Sequence, residues 1–164
     1  MNAPDCPQVD LAHVLGEIAA MPQVLARAFA SAGPQRLATM PAAGGFSLLE
    51  HACHLRDLES EGYAVRVRRL LEEERPQLEG FDGTRIAAER GYRSQDARAA
   101  LEAFTKTRQA LAVRLAALSE EERCRAGVFA GKPVTLEGMV AMMAAHDAEH
   151  RAEIDALLGE FAAR

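Results

Sequence analysis

The chain has 164 residues, a length that suggests one domain with room for a real core. Its net charge is −5 with both signs mixed along the sequence, which leaves no basic patch for a phosphate backbone and argues against nucleic-acid binding. No apolar run approaches the roughly 20 residues needed to span a bilayer, so no membrane partner is expected.

Cys6, Cys53 and Cys124 are far apart, odd in number and without a C-x-x-C pair. They read as reduced thiols and predict a cytoplasmic protein. The first residues lack the basic-then-apolar pattern of a signal peptide. Residues 1–8 are expected to be a flexible tail, and residues 9–164 a single domain.

The first helix pattern runs from about Val9 to Ala30, with Leu11, Val14, Leu15, Ile18, Met21 and Leu25 at three- and four-residue spacing. His13 falls on the opposite, solvated side. Pro22 is predicted to kink or split this helix, and Gly33-Pro34 to end it.

The second helix has a clear start. Ser47 as N-cap with Glu50 three residues on makes a capping box, and Phe46 just before it can staple onto the first turn. The helix carries His51, His54, Leu55, Leu58, Val65 and Leu70, and should end by Glu74, because Arg75 precedes Pro76. His51 and His54 both lie on or beside its apolar stripe, and periodicity does not choose between them. Cap geometry gives His51 the staple position opposite Phe46, whereas His54 is one turn deeper and freer to face another helix. A flank histidine bonded to a carboxylate such as Glu50 is the alternative for His54.

Residues 76 to 93 form a long connection with one helical turn near Ile86–Glu89, of the kind that serves as a lid or pocket wall. Phe81, Asp82 and Tyr92 are its notable side chains. The third helix is predicted to start at Ser94 and to carry a seam of Ala97, Leu101, Phe104, Arg108, Leu111, Leu115 and Leu118. Arg108 breaks that seam. It either snorkels out along its own stem or reaches an acidic group near the histidines or an anionic substrate.

Ser119-Glu120-Glu121-Glu122 is another capping box, and Val128 to Val134 reads as a small extended excursion turning at Gly131. Thr135 caps the last helix, Leu136 to about Phe161. On it, His146 and His150 stand one turn apart on one face. At about 100° per residue, Met139, Met143, Ile154, Leu157 and Phe161 all fall within about 80° of His146, so the pair occupies core positions. A buried imidazole without partners costs roughly 1–3 kcal/mol. A shared transition metal resolves this for both, and separate hydrogen bonds to polar neighbours are the plainer alternative. Asp147 and Glu149 point away from His146 and suit supporting roles.

Phe46-Ser47-x-x-Glu50-x-x-x-His54-Leu55-x-Asp57-x-Glu59, with His146-Asp147-Ala148-Glu149-His150, resembles the DinB-like family of metal-dependent four-helix-bundle proteins. Phe81-Asp82-Gly83, Tyr92 and Phe104-x-x-x-Arg108 are similar to the family's middle section, so the resemblance extends from about Leu11 to Phe161. It implies an all-α four-helix bundle with a long crossover between helices 2 and 3, and commonly a homodimer. It implies metal ligation by His54, His146 and His150, with no ligand role for His51. The divalent transition metal would be zinc or nickel first, iron or manganese next. Phe46 departs from the family, which often has Trp there.

Three neutral histidines leave an ion with open positions, as in catalytic sites. Glu50, Asp57, Asp82 and Arg108 are the supporting or pocket candidates. The expected function is that of a metal-dependent enzyme acting on a small-molecule substrate, a hydrolase or a thiol-S-transferase. The alternative is a non-catalytic metal or small-ligand binding protein, stress-related in role.

Overall fold

The computed structural model describes residues 9–163. The expected 1–8 tail lies outside the described residues. The chain is a four-helix bundle with a small sheet at one side. Its first bundle helix is α1 (Leu11–Ala32) and its second is α2 (Leu48–Asp57), continued through a π-helical turn (Leu58–Tyr63) into α3 (Ala64–Glu72). The crossover holds β1 (Gln77–Leu78) and α4 (Gly83–Arg90). Helix α5 (Ala97–Ala116), short α6 (Glu120–Arg123), strands β2 (Ala126–Phe129) and β3 (Lys132–Thr135), and α7 (Leu136–Ala162) complete the order. Helix α1 packs chiefly against α7 and α5, and α2 against α5. Among the described residues no helix is long and apolar enough to cross a membrane.

Helix α1 does not split at Pro22 but continues unbroken through it. Proline has no N–H to give the carbonyl four residues back, and here that carbonyl belongs to Ile18. Arg108 Nη1 donates to the Ile18 oxygen at 2.7 Å instead. The helix runs on because a side chain from α5 supplies the missing donor.

The caps predicted at Ser47, Ser119 and Thr135 all form, the first two as full capping boxes. The cap predicted at Ser94 does not. Ser94 closes a 3₁₀ turn and bonds the Gly91 carbonyl, while Asp96 caps α5 by accepting from Ala99 N at 2.7 Å. The turn at Gly131 joins β2 to β3 as an antiparallel hairpin, with positive φ at both Ala130 and Gly131. Strand β1 adds to β2 in parallel, pairing Gln77 with Val128. That pairing fastens the crossover to the base of the bundle.

The core forms two apolar clusters. One gathers Met21, Leu25, Leu55, Phe104, Ile154 and Leu157; the other gathers Val14, Ile18, Val67, Leu115, Leu136 and Met143. Cys53 is a buried free thiol, but Cys124 is disulfide-bonded, so the expectation of three reduced thiols does not hold.

Candidate metal centre

The capping box fixes the first turn of α2. Ser47 N and Oγ both donate to Glu50 Oε2 at 2.9 Å, and Ser47 Oγ accepts from Glu50 N. Phe46 then lies against both histidines of this helix, with ring centroids 5.7 Å from His51 and 5.3 Å from His54. The staple forms, but it touches His54 as well. On the other side of His54 stands Gly83, the first residue of α4. A Cβ there would overlap the His54 ring, so the crossover backbone packs directly on the imidazole.

Helix α7 brings His146 and His150 to face them. His146 Nε2 and His150 Nε2 are 3.1 Å apart, and the His54 ring lies 5.5 Å and 4.9 Å from theirs by centroid. One ring nitrogen from each of His54, His146 and His150 falls within 4.8 Å of the others. Two nitrogens of this cluster, His54 Nδ1 and His146 Nδ1, are buried without any hydrogen-bond partner.

His51 joins the cluster too. Its Nδ1 is 2.9 Å from His150 Nδ1, and its Nε2 is 3.7 Å from Glu153 Oε2, which also stands 3.3 Å from His150 Nδ1. If His150 Nε2 gives its lone pair to an ion, its Nδ1 must carry the proton, and His51 Nδ1 is placed to accept it. The staple position gave His51 a structural task only. His51, His150 and Glu153 also form a second group close enough to share an ion, although Glu153 is exposed.

Desolvation by burial dominates the titration of these rings. It lowers His51 and His54 to about 4 and His150 to about 2, with neighbouring histidines adding to the effect on all three, and it lowers His146 as well. All four are neutral at pH 7, so their lone pairs are available to a metal. The donor set fits a borderline transition ion. With metal–nitrogen bonds of about 2.0–2.1 Å, adjacent ligands lie roughly 3.0–3.4 Å apart. The Nε2 pair already stands at that spacing.

Arg108 is almost fully buried and ties the four bundle helices together. It donates from Nε and Nη2 to Glu59 at 2.8 and 2.9 Å, from Nη1 and Nη2 to Asp147, and from Nη1 to the Ile18 carbonyl of α1. Of its two predicted courses it takes the inward one, to acidic groups next to the histidines, and does not snorkel. Burial alone would lower the guanidinium, but the two carboxylates lift it above its ordinary value. Burial pushes the Glu59 and Asp147 carboxyls up, and one shared guanidinium only partly offsets this.

The other candidates are spread out. Glu50 serves the cap and accepts from Arg93 Nε at 3.0 Å. Asp57 accepts from Arg56, Arg90 and the Tyr92 hydroxyl at 2.6–2.7 Å. Burial would raise the Asp57 carboxyl, and those hydrogen bonds outweigh it and hold it below the usual range. Asp82 is an exposed N-cap for α4, accepting from Arg85 N, and is not brought to the histidines. Glu149 is exposed but lines a cavity of about 370 Å³ that opens beside His54 and His146. Tyr63 and Arg66, unremarked in the sequence, line it as well. The available signal was Gly62, a glycine in the middle of a helical pattern, where one often marks an irregularity with a packing reason.

Comparison with known proteins places this geometry. No curated protein matches the chain. Among solved structures, YfiT from Bacillus subtilis, described as a probable metal-dependent hydrolase with an unusual four-helix bundle topology, is similar with a TM-score of 0.86. The likeness covers 99% of this chain and 93% of that one at 18% identity, which shows a shared fold. The family model described as the DinB superfamily matches residues 17–154. With most of its length matched, the chain belongs to the DinB superfamily.

Proposed function

We propose that His54, His146 and His150 hold one divalent transition ion, zinc or nickel before iron or manganese, and that the protein is a metal-dependent hydrolase of a small molecule. The observation that carries this reading is the cluster of neutral imidazoles whose ring nitrogens converge within 4.8 Å while two buried nitrogens lack any partner. A purely structural histidine cluster would have those atoms satisfied. The description of YfiT as a probable metal-dependent hydrolase supports hydrolysis as the reaction.

When bound, an ion on three histidines supplies Lewis acidity and open coordination positions. The chain's own residues arrange the rest. His51 accepts the His150 Nδ1 proton and so fixes the tautomer that presents Nε2. Phe81, Phe129 and Met139 wall the cavity and keep bulk water from one side of it. Burial pushes the Tyr63 phenol up, so its hydroxyl stays protonated as a hydrogen-bond donor to a ligand there. The family resemblance adds a homodimer and the composition a cytoplasmic location, with residues 9–164 as one domain. Sedimentation and fractionation test the first two, and the Cys124 disulfide weighs against the location.

The test is metal analysis of untagged protein, followed by turnover of p-nitrophenyl esters and anilides. About one ion per chain is expected, falling sharply in His54→Ala and His146→Ala, with ester or amide hydrolysis falling in parallel. Turnover of a thiol–electrophile pair but of no ester or amide would make the protein a thiol-S-transferase. Stoichiometric metal without any turnover would make it a binding protein, and no metal at all would end the reading.

A further inference from the structure

The cavity beside the histidines contains a cation that no described residue neutralises. Arg66, on α3, is only 5% exposed. Its Nε donates to the Glu79 carbonyl at 3.0 Å, and its guanidinium carbon lies 4.7 Å from the Phe129 ring centre and 5.5 Å from that of Tyr63. These contacts hold the plane and leave Nη1 and Nη2 unused. Among the described residues no carboxylate lies within 4.0 Å of the guanidinium, and neither terminal nitrogen makes a hydrogen bond to the protein. Glu149, which shares the cavity, is exposed and unpaired with it.

Burying an arginine is costly unless a counter-charge repays the lost hydration. Arg108 shows how this chain normally meets that cost, with two carboxylates and a carbonyl. Arg66 has one carbonyl and two aromatic rings. Desolvation lowers its proton affinity, and the neighbouring Tyr63 phenol offsets this only in part.

The π-helical turn places Arg66 there. At about 100° per residue, a regular helix would put Arg66 about 120° around from His54. A π turn carries one extra residue and so brings Arg66 back to within about 20° of the His54 face. Gly62 lies in this turn against Leu58, whose Cδ1 a Cβ would meet at 2.6 Å. The helix departs from regular geometry where doing so aims a cation at the histidine pocket.

We propose that Arg66 is the recognition residue for a carboxylate, and that the pocket takes a small molecule with an apolar body and one carboxylate group. Two free terminal nitrogens in one plane match the two oxygens of a carboxylate. The apolar walls, Leu58, Phe81, Phe129 and Met139, fit the body. A single cation, with the Glu149 carboxylate on the rim, disfavours a dianion such as a phosphate monoester. The identity of this ligand as substrate rests on the hydrolase reading above, whereas the anion site itself does not require the metal.

The test uses metal-free protein, so that carboxylate binding to an ion cannot stand in for binding to Arg66. Phenylalkanoic acids of two to six chain carbons, their amides and phenyl phosphate are titrated by calorimetry into wild type, Arg66→Met and Arg66→Lys. At least one acid should bind about tenfold or more tighter than its amide. That preference should vanish in Arg66→Met, persist in part in Arg66→Lys, and leave amide affinity little changed. Melting temperature should hold or rise in Arg66→Met, because an unpaired buried charge is removed. Equal binding of acids and amides, no binding by either, or a preference retained in Arg66→Met overturns the proposal, and tighter binding of phenyl phosphate overturns the carboxylate assignment. A parallel cobalt titration separates the two readings. If cobalt fails to bind while the Arg66-dependent preference remains, the hydrolase reading falls and the anion site stands; cobalt binding without the preference does the reverse.

Discussion

Two buried polar clusters occupy neighbouring turns of the same helices, and they differ in whether the protein completes them. Around Arg108, every carboxylate and guanidinium group has its partner, down to the carbonyl that Pro22 leaves free. One turn away, the histidines face one another with two nitrogens unpaired and only the exposed Glu153 carboxylate beside them. Both sets lie largely out of solvent, so burial alone does not distinguish structure from function here. Hydrogen-bond completeness does, because a native core rarely leaves such groups unsatisfied without a use for them.

The sharpest way to break this contrast is to damage the finished cluster. Arg108→Met leaves Glu59 and Asp147 as unpaired buried carboxyls, and removing one partner of a buried ion pair typically costs about 3–5 kcal/mol. Urea denaturation should show a loss of that size, and a loss near zero would mean that the network does not hold the four helices together. The unfinished cluster should respond to metal instead. An ion at 100 times its Kd should stabilise wild type by about 2.7 kcal/mol, and His146→Ala and His54→Ala should forgo that gain. In metal-free protein His146→Ala should cost far less than Arg108→Met. Equal costs would put the histidines among the structural residues.

Acid tests the same difference through protonation. Burial lowers His51, His54 and His150 well below the ordinary histidine value of 6.5. Below that value the unfolded chain takes up protons that the fold refuses, so stability rises with pH and is lost on acidification. The window opens near 6.5, the unfolded value, and extends down to about 4 for His51 and His54. Between pH 7 and 6 each such histidine should remove about 0.7 kcal/mol, roughly 2 kcal/mol for the three. His54→Gln should flatten that slope in metal-free protein, and an unchanged slope would show that His54 takes up its proton in the folded state.

Local signals made much of this architecture legible. Ser47 with Glu50, Ser119 with Glu122, and Thr135 are caps whose hydrogen bonds close within one turn, so sequence spacing contains all the information. The His146–His150 pair is local in the same sense. What was not legible depends on distant or irregular geometry. Arg108 read more readily as a snorkelling residue, because its partners come from three other helices. Pro22 looked disruptive, because its remedy lies on α5. Arg66 was invisible to a count of 100° per residue, since one extra residue in the π turn shifts every later face. Asp82 sat inside a familiar motif, yet its oxygen is used by the α4 cap.

His51 gives the smallest and most discriminating test, because the two accounts of it predict opposite results. As a staple partner for Phe46 it needs only an aromatic ring, and phenylalanine should serve at least as well. As acceptor for His150 Nδ1–H it needs a lone pair 2.9 Å away, which phenylalanine lacks and glutamine can offer through Oε1. Loss of such a support typically weakens metal binding about 10–100-fold. His51→Phe should therefore lose about tenfold or more in metal affinity, at least about 1.4 kcal/mol, with little change in the melting temperature of metal-free protein. His51→Gln should recover part of that affinity. If His51→Phe binds metal as wild type does, the ring contact with Phe46 is its whole role, and Glu153 at 3.3 Å becomes the group that orients His150.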